Sequence, residues 1–410
     1  MKKFEIPQIY RSSFISSIKY KRNLIDARKK DFSPTVLNFG QVRFFIARHF
    51  GFCYGVENAV EISYKTIEGN PGKRIFLLSE MVHNPKVNNE LLKKGVRFLM
   101  DTSGNQIINW NELSKDDIVI IPAFGTTIEI ENKLKEIGVD SHKFNTTCPF
   151  VEKVWNRSEQ LGKEDYTIII HGKHYHEETR ATFSHTVKNS PSVIVRNIEE
   201  AKLLGSIILG ERKVEEFFKI FNGKYSEGFN VERDLQRIGV VNQTTMLATE
   251  TQAIADHFKK VIIKKFGSDN LGKHFADTRD TLCYATNDNQ EATYELLKQK
   301  ADFAVVVGGY NSSNTSHIVE LCENKLKTYF ISSSENIVSD KIINHFDIHK
   351  KAELITRNYI PSKFPVDIIL TSGASCPDSV VDQVIQKLIS FFDNKKSVDS
   401  VLEQFMEVEL

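Results

Sequence analysis

Short apolar runs alternate with amphipathic helical patterns along most of this 410-residue chain. The first pairs are VRFFIA followed by ENAVEISYKTI, and RIFLLS followed by KVNNELLKKG. Strands that alternate with helices form parallel sheets covered by helices, because each parallel connection needs a crossover. The loops that follow parallel strands gather at one edge of the sheet and build ligand sites there. The pattern therefore predicts an α/β fold with mostly parallel sheets.

The strands fall into three groups, which are separated near Cys148 and Asp277. A chain of this length exceeds one ordinary core, so we predict three small α/β domains around a shared centre. A charged stretch at about 203–235 lacks a strand pattern and is predicted to be a helical surface insertion in the second domain. The predicted segments are a basic N-terminal arm at 1–42, domains at 43–148, 149–276 and 277–390, and a tail at 391–410.

Composition excludes several classes of protein. The 54 basic and 53 acidic residues give a net charge of +1, so no global field indicates a nucleic acid or an anionic membrane as partner. No apolar run approaches the roughly 18 residues of a membrane span, and five cysteines fit a reducing compartment. The basic, Ser-containing start resembles a transit peptide, but Glu5 and Asp26 favour a helix packed on the body. We expect a cytoplasmic protein, or a plastid protein in a plastid-bearing eukaryote.

Three cysteines have distinctive surroundings: Cys53 in GFCYGV, Cys148 in TTCPFV and Cys283 in LCYAT. Each lies in a polar loop just before a helical pattern, where the helix N-terminus favours the thiolate that binds metal. Three cysteine ligands leave one iron position open, whereas electron-carrying clusters usually have four. The pattern predicts an iron-sulfur site that accepts a substrate. Cys322 and Cys376 are instead predicted to be packing residues.

The ordered set GFCYGV, VHNPKV, TTCPFV, HGKHYHEET, NQTT, LCYAT, NSSNTSH and TSGASCPD resembles the 4-hydroxy-3-methylbut-2-enyl diphosphate reductase (IspH/LytB) family. The match runs from about Phe44 to Leu388 and is closest to the plant and cyanobacterial branch. The resemblance implies a cloverleaf of three α/β domains around a central cluster. It also implies a two-electron reductive dehydroxylation that gives isopentenyl and dimethylallyl diphosphate, the last step of the non-mevalonate isoprenoid pathway.

The resemblance also assigns roles to residues. The three motif cysteines would hold one 4Fe-4S cluster per chain, Glu178 would supply the proton, and Thr244 and Thr245 would relay or orient it. Hydroxyls and free N–H groups at helix starts form an anion site, which fits a diphosphate. In HGKHYHEET only the spacing to Glu178 selects one histidine over His171 and His174. The residues expected to bind substrate are His83, His176, Ser312, Ser313, Asn314 and Ser375.

One turn departs from the proteobacterial pattern, because Phe124 stands where those relatives carry a histidine. Phe124 cannot donate a hydrogen bond, and the loss of a charge-assisted contact would cost about 1.5 to 3 kcal/mol if nothing replaced it. Thr126 or Thr127 is expected to compensate. Asn84 is expected to lie behind the residues that touch the substrate.

Three classes of function remain open at this point. A reductase would need one-electron deliveries from a ferredoxin- or flavodoxin-type donor, since no GxGxxG nucleotide fingerprint is present. A zinc hydrolase using the three cysteines is disfavoured, because catalytic zinc usually takes histidine or carboxylate ligands and supplies no electrons. A non-catalytic iron-sulfur sensor or RNA-binding protein is the third class.

Overall fold

The computed structural model describes residues 4–276, 281 and 283–407. The predicted domain boundary at 277 and Leu282 of the LCYAT motif lie outside the described residues. The strands are β1 (Thr35–Asn38), β2 (Val42–Ile46), β3 (Ile75–Leu77), β4 (Arg97–Phe98), β5 (Ile118–Ile120), β6 (Thr167–His171), β7 (Ser192–Val195), β8 (Ile238–Asn242), β9 (Phe275–Ala276), β10 (Phe303–Val307), β11 (Thr328–Ile331), β12 (Ile342–Asp347), β13 (Ala352–Arg357) and β14 (Val366–Ser372). The helices are α1 (Ser13–Ile25), α2 (Tyr54–Gly69), α3 (Pro85–Lys93), α4 (Ile128–Ile137), α5 (Pro149–Lys163), α6 (Glu177–Val187), α7 (Ile198–Ile208), α8 (Val214–Ile220), α9 (Val231–Asp234), α10 (Ala248–Phe266), α11 (Leu271–His274), α12 (Tyr284–Leu296), α13 (Ser313–Glu323), α14 (Asp378–Ile389) and α15 (Val398–Glu407).

The chain divides into two compact units with interleaved segments. Residues 1–57, 82–90 and 284–410 form the first unit, and residues 58–81 and 91–283 form the second. The predicted α/β fold with mostly parallel sheets is confirmed by the strand pairings. The three-domain division with its boundaries stays a prediction. Within the described ranges, no helix is both long and apolar enough to cross a bilayer.

The first unit is built on a five-stranded sheet in the order β1-β2-β14-β10-β11. β2, β14, β10 and β11 are parallel, and β1 is antiparallel to β2. Successive side chains of β2 point to opposite faces of the sheet. Val42, Phe44 and Ile46 belong to the core formed with α1, α14 and α15, whereas Phe45 belongs to the core formed with α12 and α13. Helices therefore cover both faces.

The N-terminal 42 residues contribute to that unit in two ways. Helix α1 begins after Ser12, whose hydroxyl accepts a hydrogen bond from the Ile15 N–H at 3.1 Å, and Ile15 and Ile18 are buried. The prediction of a helix packed on the body is confirmed. Strand β1, which extends the sheet, was not predicted, and neither was the antiparallel hairpin of β12 and β13.

The second unit contains two parallel sheets, in the orders β4-β3-β5 and β7-β6-β8-β9. The 203–235 segment carries no named strand and includes α8 and α9. Phe217, Phe221 and Phe229 are buried in the core shared with α7 and α10, so one face of the segment packs inward, and its description as a helical surface insertion stays a prediction. Phe217 and Phe221 are one helical turn apart and give this charged stretch an apolar face.

Candidate active site

In the first unit, the loops after β10 and β14 lie side by side because those strands are parallel neighbours. The backbone N–H of Ala374 donates to Asn314 Oδ1 at 2.9 Å, which joins the two loops. The Ser375 hydroxyl donates to the carbonyl of His83 at 3.1 Å, and the N–H of Cys53 donates to the carbonyl of Ala374 at 3.2 Å. The segments that carry these four predicted site residues therefore meet at one end of the sheet.

Helix α13 begins at Ser313, more than one turn before its apolar residues Ile318 and Val319. Ser312 is the N-cap and its hydroxyl accepts from the Thr315 N–H at 3.3 Å, so Ser313 and Asn314 lie in the first turn and not before the helix. All three predicted residues are buried. Hydroxyls, an amide and backbone N–H groups at a helix start are the donors that an anion requires.

Two buried amide groups in this unit have donors that no described residue accepts. Asn314 Nδ2 and Asn84 Nδ2 are both fully shielded from solvent, and the two side chains are 4% and 1% exposed. The other atom of each amide is occupied, since Asn314 Oδ1 accepts from Ala374 and Asn84 Oδ1 accepts from the Lys86 N–H. Unsatisfied buried donors are rare and costly, so they indicate an acceptor that the protein itself does not supply. Asn84, expected to lie behind the residues that touch the substrate, thus becomes a further candidate for a substrate contact, and its placement stays a prediction.

In the second unit, Glu178 lies in the first turn of α6 and is 1% exposed. Its Oε1 accepts a hydrogen bond of 2.5 Å from the backbone N–H of Thr244. The contact forms because β6 and β8 are parallel neighbours, with His171 paired to Asn242, so the loops that follow them are adjacent. Glu178 and Thr244, predicted as acid and relay, are thus brought together.

Gln243 organises the same pair of loops and was missed by the sequence analysis. Its Oε1 accepts from the Lys173 N–H at 3.1 Å and from the Thr179 hydroxyl at 2.9 Å. Its Nε2 donates to the Thr245 hydroxyl at 2.6 Å. Thr245 is therefore bound to Gln243, whereas Thr244 holds Glu178. The glutamine of NQTT could have identified this role from the sequence. A fully buried side-chain amide must find partners for both its N–H donors and its carbonyl oxygen, so it joins neighbouring segments.

The three histidines of HGKHYHEET occupy different environments. His176 is the N-cap of α6, and its Nδ1 accepts the N–H of Glu178 at 3.2 Å. His171 lies within β6 with its Nδ1 2.8 Å from the Thr251 hydroxyl, and His174 is exposed. Only His176 contacts the residue predicted to carry the proton, which agrees with its selection by spacing.

The Phe124 ring packs edge-to-face against His176, with ring centroids 5.7 Å apart and planes at 86°. Such a pair is attractive, so Phe124 restrains the imidazole although it cannot donate a hydrogen bond. A cavity of about 160 Å³ lies in the second unit. Its lining includes Thr126 and Thr127, which were expected to compensate for Phe124, together with Glu177 and Arg180. The described lining includes neither His176 nor Glu178.

All five cysteines lie in the described residues and none of them is in a disulfide. Cys322 and Cys376 are completely buried, and burial raises the pKa of each thiol to about 12, so their prediction as packing residues is confirmed. Cys53, Cys148 and Cys283 each immediately precede a helix, namely α2, α5 and α12. Cys53 belongs to the first unit and the other two to the second. Within neither unit do the described residues form a group of three His, Cys, Asp or Glu side chains that could hold a metal.

Comparisons with known proteins identify relatives of this chain. The LytB protein family model matches residues 44–389. The 4-hydroxy-3-methylbut-2-enyl diphosphate reductase of Prochlorococcus marinus (strain AS9601) is 40% identical, over 94% of this chain and 92% of the relative. The enzyme of the same name from Synechococcus sp. (strain CC9311) is 38% identical, over 95% of this chain and 92% of its own length.

One solved structure agrees with the fold. The E-1-hydroxy-2-methyl-but-2-enyl-4-diphosphate reductase of Plasmodium falciparum aligns with a TM-score of 0.60 at 21% identity, covering 84% of this chain and 87% of that one. At this identity the likeness supports the architecture alone. The family model and the cyanobacterial relatives confirm the resemblance drawn from the motifs. This chain belongs to the LytB family.

Proposed function

We propose that this chain reduces 4-hydroxy-3-methylbut-2-enyl diphosphate to isopentenyl and dimethylallyl diphosphate, as the names of its relatives state for them. The observation that carries the proposal is the buried carboxyl of Glu178, which is held by the Thr244 N–H and joined through its own N–H to His176. A fixed, desolvated carboxyl beside a histidine is suited to deliver a proton to a leaving hydroxyl.

We propose one 4Fe-4S cluster per chain, held by Cys53, Cys148 and Cys283. The donor set fits, because each of these cysteines stands at a helix start. The two remaining cysteines are completely buried, with a pKa of about 12, and are poor sources of thiolate. When bound, the cluster would supply the two electrons and a Lewis-acidic iron for the allylic oxygen.

The diphosphate is assigned to the first unit. Ser312, Ser313 and Asn314 present hydroxyl, amide and backbone donors at the start of α13, and Asn84 adds a second buried amide donor. These neutral groups can replace phosphate hydration without bringing the strongly held water of a lysine cluster. We also assign substrate contacts to Ser375, His83 and, in the second unit, His176.

Protons and electrons reach the substrate from different sources. The reaction consumes two electrons and two protons. Departure of the substrate oxygen as water requires the first proton, which we assign to Glu178, with the Thr244 hydroxyl available to orient it. The second proton, which comes from solvent, is taken up by the allylic carbon to form either product. The electrons require a ferredoxin- or flavodoxin-type protein. By the family relation, we place the reaction in the cytoplasm, or in the plastid of a plastid-bearing cell.

The direct test is anaerobic oxidation of reduced methyl viologen by the reconstituted protein, with and without 4-hydroxy-3-methylbut-2-enyl diphosphate. Substrate-dependent oxidation that yields both five-carbon diphosphates is the expected result. Oxidation that does not respond to substrate, in protein with a full complement of iron and sulfide, would refute the proposal.

A further inference from the structure

We propose that the basic turn (Arg28, Lys29 and Lys30), together with the exposed end of α1, is the docking surface for an acidic electron-carrier protein. The inference rests on the proposed function, because only a reductase needs repeated deliveries of electrons. It assigns a role to the N-terminal segment, which the reaction chemistry does not use.

The side chains of the basic turn are not held in ion pairs within the part of the chain that the structure describes. All three side chains are exposed, and no described carboxylate forms an ion pair with any of them. Neighbouring cations are paired, since Arg22 lies 2.9 Å from Asp31 and Lys19 lies 2.7 Å from Asp378. Three consecutive unpaired cations create a local positive potential on a chain whose net charge is only +1.

The backbone of the turn is nevertheless fixed. The N–H of Lys29, whose φ is +55°, donates to the carbonyl of Asp26 at 3.1 Å, and the N–H of Asp31 donates to the Asp26 carboxylate at 2.8 Å. The buried Arg48 side chain donates to the same Asp26 carbonyl at 3.4 Å and to Asn23 at 3.1 Å. The cations are thus presented on an ordered scaffold, which lowers the entropic cost of binding a partner.

The turn lies beside the segment that carries Cys53. His49 is four residues before Cys53 in the sequence and Glu57 is four residues after it. The His49 side chain is hydrogen-bonded to the backbone of Lys29 and packs against Phe32, with ring centroids 5.3 Å apart. Burial raises the pKa of Glu57, and the charge of Lys29 opposes that rise, so the lysine is close enough to influence the first turn of α2.

The same charge also reaches α12. Burial raises the pKa of Asp288, in the first turn and a half of that helix, and the charges of Lys29 and Lys30 oppose the rise. The charges of Lys29 and Lys30 therefore act on a carboxyl group early in α12, and the charge of Lys29 on one early in α2, which are the helices that follow Cys283 and Cys53.

Apolar side chains complete the surface. Tyr20, Leu24 and Ile25 are 60%, 51% and 47% exposed near the C-terminal end of α1, immediately before the basic turn. Apolar contact area with a charged border is typical of transient protein interfaces, in which charge steers the encounter and sets the orientation. The partner that fits is a small protein with acidic residues around its redox group. It binds briefly, because two electrons must arrive in separate encounters.

The test compares K29E/K30E with the control K259E/K260E, which changes charge equally at two adjacent exposed lysines of α10. One assay uses a reduced acidic 2Fe-2S ferredoxin as donor, and the other uses reduced methyl viologen. Binding of oxidised ferredoxin is measured separately by calorimetry. We expect K29E/K30E to lower both the ferredoxin kcat/KM and the binding constant by about tenfold or more at low salt. Viologen turnover is expected to match the wild type.

Salt supplies a second criterion, since about 0.5 M salt shortens the screening length to a few ångströms. The wild type and the control should lose most of their ferredoxin activity there, whereas K29E/K30E should change little. Equal ferredoxin kinetics and binding in K29E/K30E and the wild type would overturn the inference. An equal loss in both charge variants, or a parallel loss of viologen turnover in K29E/K30E, would overturn it as well. A wild-type protein that binds ferredoxin but does not turn over with viologen would count against the proposed reaction and not against the docking surface.

Discussion

His176 and Glu178, the proposed substrate contact and proton donor, are joined by a hydrogen bond at the start of α6. Because His176 Nδ1 accepts the N–H of Glu178, that nitrogen carries no proton, and the neutral ring holds its proton on Nε2. If both ring nitrogens carried protons, the Nδ1–H would face the Glu178 N–H, and α6 would lose an N-cap hydrogen bond worth about 1 kcal/mol. The arrangement therefore presents His176 as a neutral Nε2–H donor, while Phe124 supports the ring from the side.

Replacing Glu178 with Gln keeps the size of the side chain and an acceptor for the Thr244 N–H, but removes the acidic proton. We expect viologen-driven turnover to fall by about a hundredfold or more, which is the lower range for general acid catalysis. The matched control is Glu177→Gln, the adjacent buried carboxyl that accepts from the Ser79 hydroxyl. Equal activity of the two variants would contradict the assignment of the proton donor.

Replacing Asn314 with Asp exchanges the orphaned amide donor for a carboxylate oxygen while preserving the acceptor for Ala374. Losing a hydrogen bond to a charged group costs about 1.5 to 3 kcal/mol, so KM should rise by about tenfold to a hundredfold. The control is Asn324→Asp, at the exposed C-terminal end of the same helix. Steady-state kinetics with viologen measure both, and an unchanged KM in Asn314→Asp would exclude a phosphate contact.

At the scale of elements, the strands that are buried on both faces were easier to recognise in the sequence than the partly exposed strands. β6, β8, β10 and β14 coincide with continuous apolar runs of the sequence, which is the pattern expected of strands buried on both faces. β7 was missed because its short SVIV run follows a turn, and the hairpin of β12 and β13 was missed because polar residues interrupt it. The site loops were predicted by their position after strands, whereas the N-cap role of Ser312 and the bridging by Gln243 depend on contacts between segments distant in sequence.

The turn between β10 and α13 depends on Gly309. A Cβ added there would lie 2.3 Å from the carbonyl oxygen of His83, so the VHNP loop would have to move. We expect Gly309→Ala to destabilise the protein by about 1 to 3 kcal/mol, which is typical of overpacking, and to raise KM. Gly272→Ala in α11 is the control, because nothing lies within 4 Å of its added Cβ. Thermal unfolding of both variants tests this, and equal melting temperatures would show that the close approach is not needed.

His49 makes stability depend on pH. Burial, with the charges of Arg48 and Lys29, lowers its pKa to about 4, against about 6.5 in an unfolded chain. Above pH 6.5 the ring is neutral in both states. As pH falls from 6.5 towards 4, the unfolded chain takes up a proton that the folded chain does not, so folding stability decreases. The loss of melting temperature over this interval should be smaller in His49→Gln than in the wild type or in the exposed-site control His142→Gln. Identical losses in all three proteins would argue against this titration.

At the scale of the whole molecule, the proposed cluster ligands come from widely separated parts of the chain. Replacing Cys53, Cys148 or Cys283 with Ala should each lower the bound iron and abolish turnover, because a three-ligand site cannot lose a ligand without losing affinity. Cys322→Ala and Cys376→Ala should retain iron, since burial keeps those thiols protonated. Iron per chain after anaerobic reconstitution is the measurement. Full iron content in any of the three motif variants would remove that cysteine from the ligand set.

The interleaving of the first unit has a consequence for synthesis on the ribosome. β2 is hydrogen-bonded to β14, and their side chains Arg43 and Asp367 are 324 positions apart. At about 5 to 20 residues per second, β2 is made roughly 15 to 65 seconds before its partner exists. During that interval the second unit can complete itself, while the apolar surfaces of α1 and β2 remain uncovered. The nascent chain is thus exposed to chaperones and proteases mainly at its beginning, and folding ends only when the last strand closes on one of the first.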